Sequence, residues 1–332
     1  MTNITCPFVP SFGYFDTPNF LKLALHILTA TSTPVYILGI YCIVFKTPKA
    51  MKSVKWYMFT LHIWILLFDY SISLLCVPFL LVPAPAGISY GVLRYLGVPT
   101  SVQTIMTTIL LNYMFISIIA IYENRFFIVC EFRGKDQWAI ARKLWLFLHY
   151  FAIVAFFIPA FFLIPDQDTA SQIVQQILPC LPDFIYQEPI FVLALDYTYH
   201  MSITIPIVVI FLSELTVFVS LLIRDGSKQK KNMKMSAKTY QMHRQFFIAI
   251  VLQSTLPLGQ IGFPVIYLLG SIMLGNRNQA AINVCVIIAT THGLVSTVVM
   301  IVVHRPYRLA VLGMIRSPVE EKSTIVSVMS TK

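Results

Sequence analysis

The chain has 332 residues, of which 57% are hydrophobic and only 11% charged, with a formal net charge of +10. Soluble domains carry about 25% charged residues, so most of this surface faces something other than water, and a membrane class follows before any residue is inspected. The basic balance could suit nucleic acid, but its distribution along the chain points to a membrane face and gives no nucleic-acid partner.

A spanning helix needs about 20 mainly apolar residues. In chain order the candidates are about 21–45, 57–81, 99–122, 143–164, 199–223, 246–270 and 280–303. They are apolar around the whole circumference, as lipid-embedded helices are. The first run lacks a basic leader and is long enough to span, so it reads as a retained signal anchor. The expected fold is therefore an all-α membrane protein: a seven-helix receptor domain over 1–316, with a cytoplasmic tail over 317–332 expected to be disordered.

Positive charge sets the orientation. Of the 24 lysines and arginines, only Lys22, Arg94 and Arg277 fall at the N-terminal edge or in the loops on its side; the rest lie on the opposite side. The rule that basic residues stay inside then places the N-terminus outside and the C-terminus in the cytoplasm. The 165–198 loop contains Asp166, Asp168, Asp183, Glu188 and Asp196 without a base, and its length suggests an ordered outer cap.

Within the spans, Asp69 sits midway along span two. A carboxylate at that depth costs about 2.5–3.5 kcal/mol and is usually functional. Its counterparts by depth in span seven are His292 and Ser296, giving an expected polar cluster that repacks on activation, against a plain alternative of a protonated Asp69 satisfied by a nearby serine. Glu214 in span five has no evident lysine partner. Pro34, Pro78, Pro159, Pro206, Pro257 and Pro264 lie in spans, and Pro257 with Pro264 makes span six the most breakable. After span seven, "HRPYRLAVLGMIR" suits a short interfacial helix over about 306–316, with Pro306 interrupting the chain.

No paired catalytic carboxylates, GxSxG, HExxH or P-loop is present, so no enzyme activity, cofactor or metal is expected. The six cysteines are singles, without zinc-site spacing. Asn3 in "NIT" matches a glycosylation sequon.

Several stretches, in order, carry a resemblance: "FDTPNFLKLALHILTATSTP", "YCIVFKTPKAMKSVKWYMFTLHIW", "YENRF", "IPDQDTA", "LPCLP", "HGLVSTVVM" and "HRPYR". Along nearly its whole length the chain resembles the nematode chemoreceptors of serpentine receptor class H. The resemblance implies a plasma-membrane receptor of sensory-neuron cilia, with a small-molecule ligand, membrane lipid around it and a heterotrimeric G protein as partner. It also implies a coupling role for Arg125 in "ENRF" at the inner end of span three, with Glu123 and Asn124 beside it, and Tyr307 of "HRPYR" joins these candidates. Residues two apart do not share a helix face, so Glu123 and Arg125 are not expected to pair. The alternative reading of "ENRF" is a stop-transfer pair of charges.

The top of span three lacks the cysteine of the common receptor disulfide, so a Cys6–Cys180 bridge is the expected substitute, with Cys76 as a rival partner. A ligand pocket between the outer helix halves would draw on Gln103, Tyr197, Tyr199, His200 and Tyr267. Two other classes compete. A ligand-gated cation channel of odorant-receptor type would have the inverted orientation, and a small-solute transporter would show the repeat that is missing here.

Overall fold

The computed structural model describes residues 12–178, 181–231 and 237–314. Among these residues, seven helices are long and apolar enough to cross a membrane. They are α1 (Pro18–Phe45), α2 (Lys52–Tyr70), α3 (Thr100–Val129), α4 (Lys135–Phe161), α5 (Thr198–Lys231), α6 (Ala237–Leu274) and α7 (Gln279–Val303). The architecture is a seven-helix bundle.

Local chemistry explains where the first helix starts. Thr17 caps α1 by accepting from the Phe20 amide at 3.3 Å, and Pro18 follows in the first turn, where its missing N–H costs nothing. Pro34 sits inside α1. Just before it, the Thr33 hydroxyl donates to the Thr29 carbonyl at 2.7 Å, and the Thr29 hydroxyl ties α1 to Ser73 at 2.7 Å.

Burial shows how the bundle is arranged. Half of the most apolar stretch of α2 is buried, against 11% for both α4 and α5. The helices α2, α3 and α7 thus form the protein-facing centre, and α4 and α5 are the lipid-facing flank. The apolar core runs through Leu25, Ile43, Met58, Ile65, Met114 and Ile119.

One end carries a small sheet, which corrects the all-α expectation. Strands β1 (Pro78–Leu80) and β2 (Ala86–Ser89) pair antiparallel, with Phe79 opposite Ile88, and β3 (Phe191–Val192) joins the free edge of β2. The expected second span was too long at this end. After Tyr70 the helix widens over Ser71–Cys76, Val77 takes a left-handed conformation (φ 44°), and Pro78 opens β1 instead of lying in a helix. Phe79, Leu81, Ile88 and Val192 are almost wholly buried, so the apolar run read as membrane helix is the core of the cap. Gly91 makes this close packing possible, because a Cβ there would collide with the Leu75 carbonyl.

The 165–198 segment forms part of the same cap. Asp166 caps the helix Gln167–Ile177 by accepting from the Thr169 amide (3.0 Å) and hydroxyl (2.8 Å), and these bonds hold its carboxyl below the ordinary carboxylate range. Ala170, Val174 and Leu178 turn inward. Gln167 then clamps β3, accepting from the Val192 amide at 2.9 Å and donating to its carbonyl at 3.1 Å. An Arg94–Glu188 ion pair at 2.5 Å ties the second segment of the cap to the first.

At the opposite end five of the seven helices, α2 to α6, run beyond the apolar spans, while α1 and α7 end where expected. α3 runs to Val129 and α4 starts at Lys135, leaving a connection of only 130–134, and α5 and α6 likewise extend into the basic segment. Charge ends the lipid-embedded part of a helix, not the helix itself. Beyond α7 the chain bends at His304 and residues 305–314 are helical. The break falls before Pro306, which lies in the first turn of the new helix. The expected tail, 317–332, lies outside the described residues.

Candidate functional site

The "ENRF" segment lies at the end of α3 away from the sheet, and its acid has a partner from another helix. Arg142 of α4 meets Glu123 Oε2 at 2.6 Å, and the Trp138 indole N–H donates to Glu123 Oε1 at 2.8 Å. The Glu123 side chain is 2% exposed, so this is an ion pair removed from water. Arg142 also donates to Asn124 Oδ1 at 3.0 Å and lies over the Phe127 ring at 4.3 Å, while Asn124 donates to the Ser53 carbonyl at 3.3 Å. One guanidinium therefore joins α3 and α4, and Asn124 carries the link on to α2.

Arg125 occupies a different face of α3, as two steps of about 100° each require, and is 9% exposed. One turn back, the Tyr122 hydroxyl meets Ser254 of α6 at 2.6 Å. Phe126 stacks on Phe132 at 4.7 Å and stands 5.8 Å from Phe218 of α5. These rings and Trp138 line an open cavity of about 460 Å³ beside Arg133 and Gln137. Tyr307 is not a surface group. It is fully buried, and its hydroxyl meets Thr47 at 2.8 Å, which pins the segment after α7 to the end of α1.

The mid-bundle carboxylate is also enclosed. Tyr36 of α1 donates to Asp69 Oδ2, and His292 Nδ1 stands 3.0 Å from Asp69 Oδ1. The same nitrogen is 2.8 Å from the Ala289 carbonyl, which receives the better-directed hydrogen bond. Ser296 is buried one turn further along α7, and the contacts to Asp69 come from Tyr36 and His292. Gly293 is required here, since a Cβ would strike Asp69 Oδ2 and crowd Tyr36 and Ile65. His62 extends the network, with Nε2 3.1 Å from the Tyr36 carbonyl.

Tyr36 and Arg142 are the residues that sequence reasoning missed. A tyrosine in an apolar span has no distinctive signal, and Arg142 looked like one of many basic residues at a membrane edge. Glu214, read as having no evident lysine partner, is met instead by His149, whose Nε2 stands 3.1 Å from its Oε1, and by the Trp145 N–H, which donates at 3.3 Å. The i, i+4 spacing of Trp145 and His149 was the available clue.

The expected pocket residues diverge at the sheet end. Gln103 is committed to the protein, accepting from Ser89 at 2.6 Å and donating to the Val98 carbonyl at 2.8 Å, which anchors the cap to α3. Tyr199 donates to the Phe156 carbonyl at 3.2 Å. Tyr197, just before α5, and Tyr267 in α6 are half-buried. His200 has no hydrogen-bond partner on either ring nitrogen among the described residues. Cys6, Cys180 and Asn3 lie outside the described residues. Cys76 is a free buried thiol 3.6 Å from Thr107, so the rival bridge is not made.

With seven apolar helices, the cap and the polar clusters in place, the comparison with known proteins is decisive. Residues 16–317 match the profile of the serpentine type seven-transmembrane G-protein-coupled chemoreceptors, Srh. The chain belongs to the Srh family. It is 25% identical over 331 residues to serpentine receptor class H-72 of Caenorhabditis elegans, covering 98% of this chain and 93% of that one. An Srh chain is a chemosensory seven-helix membrane protein, and the match spans the Glu123–Arg142 cluster, the Asp69 cluster and the cap alike.

Proposed function

We propose that this Srh chain is a plasma-membrane receptor with its N-terminus outside, which takes a small molecule in the sheet-bearing half of the bundle and activates a heterotrimeric G protein at the other. The observation that carries this reading is the cluster at the end of α3. Glu123 is held by Arg142 and Trp138, Arg125 occupies a separate face of α3, and an aromatic-lined cavity opens beside Phe126 and Arg133 at this basic end of the molecule. A positively charged, cytoplasmic surface suits the acidic face of a nucleotide-exchange partner.

Asp69, His292 and Tyr36 link α1, α2 and α7, and a ligand that favours one packing of this cluster shifts the receptor between two states. Ser296, one turn away, would enter the network when α7 rotates. In the coupling role Arg125 is the contact residue, Asn124 and Glu123 position the end of α3, and Tyr307 holds the helical segment 305–314 against α1. That segment would lie along the inner membrane face, with the exposed Leu309 and Leu312 against lipid and Arg305 and Arg308 of the same face reaching up to the headgroups. Tyr197, His200 and Tyr267 remain candidate ligand contacts, and a sensory cilium is the expected location by family membership.

The test is guanine-nucleotide exchange in membranes carrying the receptor and a promiscuous Gα, with a panel of volatile and water-soluble compounds. Exchange above empty membranes that is lost in Arg125→Ala at equal surface expression supports the reading. Equal exchange in wild type and Arg125→Ala returns "ENRF" to a stop-transfer role.

A further inference from the structure

A groove of about 360 Å³ opens sideways between α3 and α4 near the sheet-bearing end. From α3 it is lined by Val102, Ile105, Met106 and Ile109, and from α4 by Ile158 and Phe161. The α3 positions follow the i, i+3, i+4, i+7 spacing of one helix stripe. All of the lining side chains are apolar. Its volume falls in the range of small-molecule sites, about 300–1,000 Å³.

Two further features bear on what enters it. The polar side chains of α3 at this level are used elsewhere, Gln103 against Ser89 and Val98, Thr107 beside Cys76, and Thr104 and Thr108 on their own helix carbonyls. The sheet buries Phe79, Ile88 and Val192 within the cap, and no sheet residue lines the groove. The open side of the groove is formed by lipid-facing residues, with Ile158 48% and Phe161 42% exposed. Hydrocarbon already fills the space outside, and no buried donor or acceptor has to be matched within.

We infer that this groove binds an uncharged, apolar small molecule that reaches the receptor dissolved in the outer half of the bilayer. The inference rests on the receptor reading above and assigns the chemical class of its ligand. Occupancy wedges α3 against α4, and α3 is the helix that carries Glu123 and Arg125 at its far end. A charged or strongly hydrogen-bonding ligand has no partner in the groove and is excluded by the cost of desolvation.

The test uses the full chain in phosphatidylcholine nanodiscs, with a diazirine-bearing decanol as the probe and mass spectrometry to map labelled residues. Saturable labelling of 102–110 and 158–162 is expected, at least tenfold above the lipid-facing Ile205–Leu212 stretch of α5 and displaced by excess decane. Ile109→Trp should lower the groove labelling at least fivefold. Val102→Trp, at a 41% exposed position, should do the same if Ile109→Trp fails to fold. Uniform labelling of all lipid-facing helices would overturn the inference. So would labelling by a diazirine-tailed phosphatidylcholine that decane does not displace, which would make the groove a seat for bulk lipid. No G protein is needed, so failed exchange with intact labelling counts against coupling alone, and intact exchange with absent labelling counts against the groove alone.

Discussion

Replacing Arg142 with methionine removes the cation that neutralises Glu123 while keeping much of the aliphatic stem over Phe127. The Glu123 carboxylate is 2% exposed and, among the described residues, would retain the Trp138 N–H as its hydrogen-bond donor. Breaking a buried pair by deleting one partner costs about 3–5 kcal/mol, because the remaining charge stays out of water. With an unfolding entropy of about 2.1 cal/mol/K per residue, a chain of this length changes by about 0.7 kcal/mol per degree. The melting temperature of the purified receptor should therefore fall by about 4–7 °C, read by size exclusion after heating or by tryptophan fluorescence. Glu123→Gln should cost less, since Arg142 is 14% exposed and keeps Asn124 and the Phe127 face. The double variant should recover part of the Arg142→Met loss. A fall of under 1 °C in Arg142→Met, or a double variant with the two single losses simply added, would refute the buried-pair account.

Three other outcomes are expected. Gly293→Ala drives a methyl into Asp69 and should cost about 1–3 kcal/mol as overpacking, measured as a lower melting temperature that the nearby Asp69→Ser partly restores. Gln167→Ala removes both side-chain bonds to Val192 and should raise amide hydrogen exchange in β3 and its neighbour β2, leaving α1–α3 protected; unchanged exchange in β3 would remove Gln167 from the account of the cap. Burial at the bend after α7 pushes His304 down to about 4. Its neutral form is the folded one, so stability is full above the unfolded value of about 6.5 and declines as pH falls from there towards 4. At about 1.36 kcal/mol per unit, the change from pH 6.5 to 5 is about 2 kcal/mol, and His304→Asn should flatten that part of a melting-temperature profile.

The seven helices were legible because lipid permits few alternatives: a long apolar run must be a helix that satisfies its own backbone. The same rule misled at Pro78–Val82, where the apolar residues face the inside of a cap and not lipid, a difference that hydropathy alone does not carry. The basic-side ends of α2 to α6 were set too short because the pattern records where lipid stops. At the candidate site, Asp69 and His292 could be paired by depth, since a buried charge in a span needs company. Tyr36 and Arg142 were missed because their significance depends on which helices are neighbours. The absence of an intrahelical Glu123–Arg125 pair followed from helix geometry alone, but the true partner came from a helix crossing that only the packing reveals.

The account stands or falls on which side of the membrane holds Arg125. Epitope tags at each terminus, tested with antibody on intact and then permeabilised cells, measure this without any ligand. The account predicts an N-terminal tag accessible on intact cells and a C-terminal tag reached only after permeabilisation. A C-terminal tag exposed on intact cells would put the Glu123–Arg142 cluster outside, contradict the coupling role of Arg125, and favour a channel of inverted orientation.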